Sequence, residues 1–294
     1  MPVGARSLPR SLEGSHNSRG QALRPPHSNT WPVDTLMPTT PDFDPQPAAD
    51  LLTAARTGAV PRPADLPAAL RPANAAQAYA VQDRVVRARG EIAGWKVGAS
   101  GPDAEPARAA LTQDSVQVGD AVHLAAASFF VIGVEAELVF QCIADLPPRD
   151  VPYTPGEVLG ALGTVRAGIE VCDTRFAAWG GQDAWSRLAD QACHGALVVG
   201  PGLDEGAGID VLRQPVRLEV NGGTVVSHDA GGNPAGEPLR LLVWLANEGA
   251  RSLGGLRAGQ WVTTGSWTGT PMVMQGDVVV AEFPGIGRAE LRLD

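Results

Sequence analysis

Four residues of this chain, Lys96, Glu135, Glu137 and Glu170, have the types and spacing to do chemistry together. The stretch Val134-Glu135-Ala136-Glu137-Leu138-Val139-Phe140 alternates. As a strand, its period of two puts Glu135, Glu137 and Val139 on one face and Val134, Ala136, Leu138 and Phe140 on the other. The two carboxylates then stand roughly 6.5 to 7 Å apart at the backbone, a gap their side chains can close on one cation. Like charges this close repel, so they call for open water or a hard metal ion. A solvated strand face is the competing reading, but apolar runs at 129–132 and 139–140 favour burial, where unpaired carboxylates are expensive. Glu170 is framed in the same way by Ile169 and Val171. Three acidic groups without a neighbouring His or Cys form an octahedral, oxygen-rich site suited to Mg²⁺ or Mn²⁺ rather than zinc.

Of the 23 Lys and Arg residues only Lys96 is a lysine, in Gly94-Trp95-Lys96-Val97-Gly98. An arginine stays charged, whereas a partly buried lysine can lose a proton or set a point charge on a substrate carboxylate. A surface residue left over from coding bias would give the same count. Asp173 and Arg175 pair structurally in our reading, holding the corner after Glu170. The loop Thr263-Thr264-Gly265-Ser266-Trp267 either offers N–H groups and a hydroxyl to an anion or is a plain turn.

The elements that position these groups read as follows. Residues 48–90 carry a helical pattern, with Ala75, Ala78, Tyr79, Gln82, Val85 and Val86 on one face and Gly90 as the stop. A strand follows at 92–97. Residues 156–167 read as a helix marked by Val158, Leu159, Leu162 and Val165, running into the Glu170 segment. Beyond Gly200 the chain becomes mostly β: a hairpin at 216–227 turns on Asn221-Gly222-Gly223, and strands lie at 261–264, 278–283 and 289–293. One helix interrupts, opened by Pro238 and ended by Gly254.

Composition limits the functions available. The 294 residues, 44% hydrophobic, can bury a substantial core as one large or two modest domains. A formal charge of -9 without Arg-aromatic clusters offers no footprint for nucleic acid or an anionic membrane, leaving small molecules as partners. No apolar run reaches a membrane span and no secretory signal is legible. Three scattered cysteines fit a reducing cytoplasm rather than a disulfide framework. The first 36 residues are rich in Pro, Ser, Arg and Gly and read as a disordered tail or a mis-assigned start, with Met37 as initiator.

Six segments in order resemble one family: Gly94-Trp95-Lys96-Val97-Gly98, Val134-Glu135-Ala136-Glu137, Ile169-Glu170-Val171-Cys172-Asp173-Thr174-Arg175, Asp190-Gln191-Ala192, Val243-Trp244-Leu245-Ala246-Asn247 and Thr264-Gly265-Ser266. Together they resemble the 2-keto-4-pentenoate hydratase and 4-oxalocrotonate decarboxylase branch of the fumarylacetoacetate hydrolase superfamily, over roughly residues 48 to 294. The resemblance implies an α+β fold: a mixed β-roll or sandwich of the fumarylacetoacetate hydrolase C-terminal type, with flanking helices and a smaller N-terminal α/β region. The implied division is a tail at 1–45, an N-terminal α/β region at 46–130 and a metal-binding catalytic β-roll at 131–294. It also implies Glu135, Glu137 and Glu170 as ligands of Mg²⁺ or Mn²⁺, Lys96 as an active-site cation, Ser266 as a substrate contact and a homo-oligomer. For the family's proton-transfer Asp, Asp114 and Asp120 are both candidates, and neither aligns cleanly.

The expected activity is that of a metal-dependent lyase adding water to a 2-oxo or 2-hydroxy-alkenoic acid from aromatic-ring degradation. The metal would act as a Lewis acid for the enolate, with Lys96 neutralising the carboxylate or shuttling a proton. Decarboxylation of a 4-oxalocrotonate-like acid uses the same ligands. Acylpyruvate hydrolysis would add a water-activating base such as His123, His194 or His228, and a metal-binding, catalytically silent member is the third alternative.

Overall fold

Strands carry this protein because its central segments keep apolar side chains at every second position, and the sheets that result bury them on both faces. The computed structural model describes residues 43–202 and 210–294. Expectations for the leader before residue 43 lie outside the described residues. In chain order the elements are helices α1 (Gln46–Arg56) and α2 (Ala75–Arg89), then strands β1 (Ile92–Gly98), β2 (Ala107–Thr112), β3 (Val116–Val118), β4 (Val122–Leu124) and β5 (Gly133–Cys142). Helix α3 (Pro155–Gly160), strand β6 (Leu162–Cys172), helix α4 (Ala184–Ala189) and strand β7 (His194–Val199) follow. The chain continues through β8 (Val216–Val220), β9 (Gly223–His228), α5 (Pro238–Trp244), β10 (Trp261–Thr263), β11 (Val278–Phe283) and β12 (Gly287–Leu293).

These strands make two sheets, a seven-stranded one in the order β2-β1-β10-β5-β6-β7-β3 and a five-stranded one in the order β4-β12-β11-β8-β9. Pairing is mixed: β1 with β10, β3 with β7 and β4 with β12 are parallel, and the remaining ladders are antiparallel. The smaller sheet packs on one face of β5, β6 and β7. There Val134, Ala136, Leu138, Ile169, Val171 and Val198 meet Leu218, Val279, Phe283 and Leu291 in one core. On the opposite face, Leu111 of edge strand β2 and Val116 of the other edge strand β3 join Val139, Leu197 and Trp261 in a single cluster. Edge strands meet in this way only if the large sheet is rolled, with this cluster on its inner face. This is the mixed, helix-flanked α+β architecture expected from the sequence. The large sheet takes β1 and β2 from before residue 130 and β5 onward from after it, so the roll is built across that position. No helix among the described residues is long and apolar enough to cross a membrane.

Two local expectations need correcting. The helical pattern at 48–90 is two helices, because Gly58, Pro61, Pro63, Pro67 and Pro72 break the stretch between Arg56 and Ala75. The helix expected at 156–167 is only the six-residue α3, capped by Thr154 with Glu157 closing a capping box. Its remainder belongs to β6. Leu162 and Val165 happen to fit a helical spacing, but Val165, Ala167, Ile169 and Val171 form a period-two face that packs on the second sheet.

The helix opened by Pro238 continues through a π turn at 245–249 and a 3₁₀ turn to Gly254, whose φ of 90° ends it in the left-handed conformation.

Candidate active site

The inner face of the roll is where the chemistry gathers. Period two turns Glu135, Glu137 and Val139 of β5 inward, and register sets Glu170 of β6 directly across from Glu135. Gly168 faces Glu137, and a Cβ there would stand 2.4 Å from Val139, so glycine keeps that position open. Lys96 enters from β1, one strand beyond β10, in register with Thr263. The three carboxylates are 8% (Glu135), 1% (Glu137) and 0% (Glu170) exposed, which excludes the solvated strand face.

Each carboxylate is gripped through one oxygen. Glu137 Oε2 accepts from the Thr263 hydroxyl and, at 2.8 Å, from the Gly265 N–H. Glu135 Oε1 accepts from the Thr270 hydroxyl. Glu170 Oε1 lies 2.7 Å from Lys96 Nζ and 3.0 Å from His194 Nδ1. The other oxygens of Glu137 (Oε1) and Glu170 (Oε2) are buried with no hydrogen-bond partner. A buried, unpaired carboxylate oxygen is strongly unfavourable, and a cation bound between such groups relieves it. The donor set therefore fits a divalent metal ion.

The electrostatics agree. Burial pushes the Glu137 carboxyl well above its ordinary value, and Glu170 and Glu135 add to the shift. Glu135 is raised too, by burial and by Glu170. Glu170 moves the other way: burial opposes ionisation, but Lys96 and His194 outweigh it. Lys96 in turn is held charged, because the Glu170 carboxylate overcomes the effect of its burial.

A strained turn holds Lys96 from behind. Gln191, Ala192 and Cys193 lie in succession at φ of 51°, 48° and 66°, a left-handed run costing of order 1 kcal/mol per residue without glycine. The turn aims the Ala192 carbonyl at Lys96 Nζ, 3.0 Å away. Its flanks are fixed: the Gln191 side chain accepts from Arg56 and donates to Ala110, and Asp190 pairs with Arg175. Asp173 accepts from the Phe130 and Val131 N–H groups and lies 3.9 Å from Arg175, so both are structural, but Arg175 is held chiefly by Asp190 rather than by the expected pairing with Asp173.

The remaining sequence candidates separate. Ser266 adjoins Gly265, but its hydroxyl donates to the Gly269 carbonyl at 2.8 Å and shapes its own loop. Asp120 lies exposed between β3 and β4, where the neighbouring Gly119 N–H donates to the Val199 carbonyl at the end of β7. Asp114 is exposed and paired with Arg89 at 2.6 Å. Both Asp residues are exposed, whereas the three carboxylates are buried. His123 pairs with Asp294 beside the smaller sheet and His228 is exposed at the end of β9. Of these three histidines, His194 alone is at the site. Its Nε2 lies 3.0 Å from Ser115 Oγ, so both ring nitrogens are engaged, and burial lowers its pKa to about 4.

The expectation that no Cys or His accompanies the carboxylates is overturned. Glu135, Glu170 and Cys172 each present an atom within 4.8 Å of the other two, and Glu137 lies outside that set, two residues along β5 on the same inward face. Period two from Glu170 places Cys172 on the inner face, a signal present in the sequence. Burial, then Glu135 and Glu170, raise the Cys172 thiol well above its ordinary value. The roles of Thr263, Thr270 and Ser115 had no local signal. A cavity of about 610 Å³ lined by Ile92, Val116 and Trp261 opens elsewhere; Trp261 is in register with Gln141, at the far end of β5 from Glu135.

With this geometry in hand, the relatives are informative. Residues 99–294 match the model of the fumarylacetoacetate (FAA) hydrolase C-terminal family. Over 226 residues the chain is 30% identical to 2-keto-4-pentenoate hydratase of Paraburkholderia xenovorans (strain LB400), covering 73% of this chain and 82% of that protein. The same figures hold for 2-keto-4-pentenoate hydratase 3 of Pseudomonas putida. Its fold superposes on 4-oxalocrotonate decarboxylase from Pseudomonas putida G7, complexed with magnesium and adipate, with a TM-score of 0.73 and 25% identity over 85% of this chain and 97% of that one.

Proposed function

The chain belongs to the fumarylacetoacetate hydrolase family, and from that premise we propose that it is a divalent-metal-dependent hydro-lyase that adds water to a 2-oxo or 2-hydroxy-alkenoic acid, as a 2-keto-4-pentenoate hydratase does. The observation that carries this is the inward cluster of three buried carboxylates, two with an unpartnered oxygen, beside the half-buried ammonium of Lys96. Glu135, Glu137 and Glu170 would hold Mg²⁺ or Mn²⁺. When bound, such an ion supplies Lewis acidity that stabilises the enolate of a 2-oxo acid.

The protein's own groups do the rest. Lys96 uses two of its three N–H donors, on Glu170 and Ala192, and keeps the third for the substrate carboxylate. Its charge is maintained by Glu170, so it acts as a fixed cation that sets substrate orientation. His194 orients Glu170 through Nδ1, a role typical of partners behind a metal ligand. Thr263 and the Gly265 N–H fix Glu137, and Thr270 fixes Glu135, so the cluster is preorganised before substrate arrives. Three free cysteines suit work in a reducing cytoplasm.

Decarboxylation of a 4-oxalocrotonate-like acid is the second reading, favoured by the superposition on the decarboxylase. Acylpyruvate hydrolysis is less well supported, because the one histidine at the site has both nitrogens engaged. Titration with Mg²⁺ or Mn²⁺ followed by assay with 2-hydroxypenta-2,4-dienoate tests the proposal. Metal-dependent hydration supports it; carbon dioxide release from 4-oxalocrotonate with no hydration moves the assignment to the decarboxylase, and metal binding without turnover of either acid overturns it.

A further inference from the structure

Cys172 has a position that packing does not explain. It is 4% exposed on the inner face of β6, two residues beyond Glu170 and in register with Gly133. Its thiol stands with Glu135 and Glu170 in a set whose donor atoms all lie within 4.8 Å of one another. The second observation is Glu170 Oε2, a buried oxygen with no hydrogen-bond partner on a carboxylate of that same set. Metal–sulfur bonds of about 2.3 Å and metal–oxygen bonds of about 2.1 Å keep two donors of one ion within about 4.4 Å. The observed spacing closes to that with a small side-chain adjustment.

We infer that Cys172 is a fourth ligand at the metal site, making this centre selective for thiophilic divalent ions such as Zn²⁺, Co²⁺ and Cd²⁺ over Mg²⁺. This rests on the metal site of the proposed function and adds to it a donor that is not an oxygen. Thiolate is a soft ligand that discriminates strongly among these ions, while carboxylates suit hard ones. On binding, the sulfur–metal bond forms as the S–H proton leaves to solvent, so each thiophilic ion releases one proton more than Mg²⁺ does. Magnesium would keep to the carboxylates and leave the thiol protonated.

The test uses Cd²⁺ and Mg²⁺ on the full-length protein and on Cys172→Val, Cys172→Ser and Cys193→Ser variants. Ultraviolet absorption reads the sulfur-to-cadmium charge-transfer band, and calorimetry reads affinity. The expected result is a band in the parent and in Cys193→Ser that is lost in both Cys172 variants. Cadmium affinity should fall at least about tenfold in the Cys172 variants, with magnesium affinity held within about twofold. Magnesium binding with no sulfur band in the parent overturns the ligand assignment and leaves the proposed function standing. A band that survives Cys172→Val, or disappears in Cys193→Ser, also overturns it. Failure of every divalent ion to bind the folded parent overturns the metal site itself, and the proposed function with it.

Discussion

Glu135 and Glu170 face each other across the β5–β6 ladder, two buried carboxylates in directly opposed positions of adjacent antiparallel strands. Opposed like charges destabilise a sheet, and burial multiplies the penalty. Lys96 and His194 compensate on one side only, through Glu170 Oε1, and the inward side is left for a cation.

Glu137→Gln keeps the shape of the side chain and removes a charge from the cluster. Metal-dependent activity should fall by more than the 10- to 100-fold typical of partners one step removed from a metal, about 100-fold or beyond. The melting temperature of the metal-free protein should not drop, because a carboxyl disfavoured by burial has been neutralised. Full activity in this variant would remove Glu137 from the site.

Thr263→Val deletes the hydroxyl that donates to Glu137 Oε2 while the Gly265 N–H remains. Calorimetric affinity for Mg²⁺ or Mn²⁺ should weaken by about 10- to 100-fold, with an unchanged fold by circular dichroism. An unaltered affinity would mean that the threonine does not orient the ligand.

His194 makes stability depend on pH with a definite sign. Its folded pKa of about 4 lies below the ordinary 6.5, so the unfolded chain binds the extra proton first. The stabilisation is present above pH 6.5 and is lost as pH falls from there to about 4, by roughly 3 kcal/mol in total. Denaturant melts of the metal-free protein at intervals across that window should show the loss. His194→Gln should flatten the slope, and an equally steep slope in the variant would contradict the assignment.

Lys96→Met strands Glu170 without its ammonium. Breaking a largely buried pair should cost roughly 3 kcal/mol in denaturant melts and raise KM for the carboxylate substrate. Asp120→Asn, by contrast, changes an exposed turn residue and should leave kcat and KM at parental values. A large loss of kcat there would return Asp120 to the mechanism.

The sequence by itself determined the local terms: that residues 133–142 are a strand, that Glu135 and Glu137 share a face, that an isolated lysine sits in β1, and that Asn221-Gly222 turns a hairpin. Those follow from period, propensity and turn chemistry, which act within a few residues. It also held the position of Cys172 on Glu170's face, although the alternation of β6 was partly hidden by a coincidental helical spacing. Only the tertiary structure decided that Glu135 opposes Glu170, that Lys96 reaches Glu170 from beyond β10, that Thr263 and Thr270 grip the carboxylates, and that Asp114 and Asp120 stay exposed. Ladder register and the rolling of the sheet are set by packing between residues far apart in sequence, here the clusters on its two faces. A one-residue slip of β6 would turn Glu170 to the opposite face, so the metal site depends on that distant packing as much as on its own side chains.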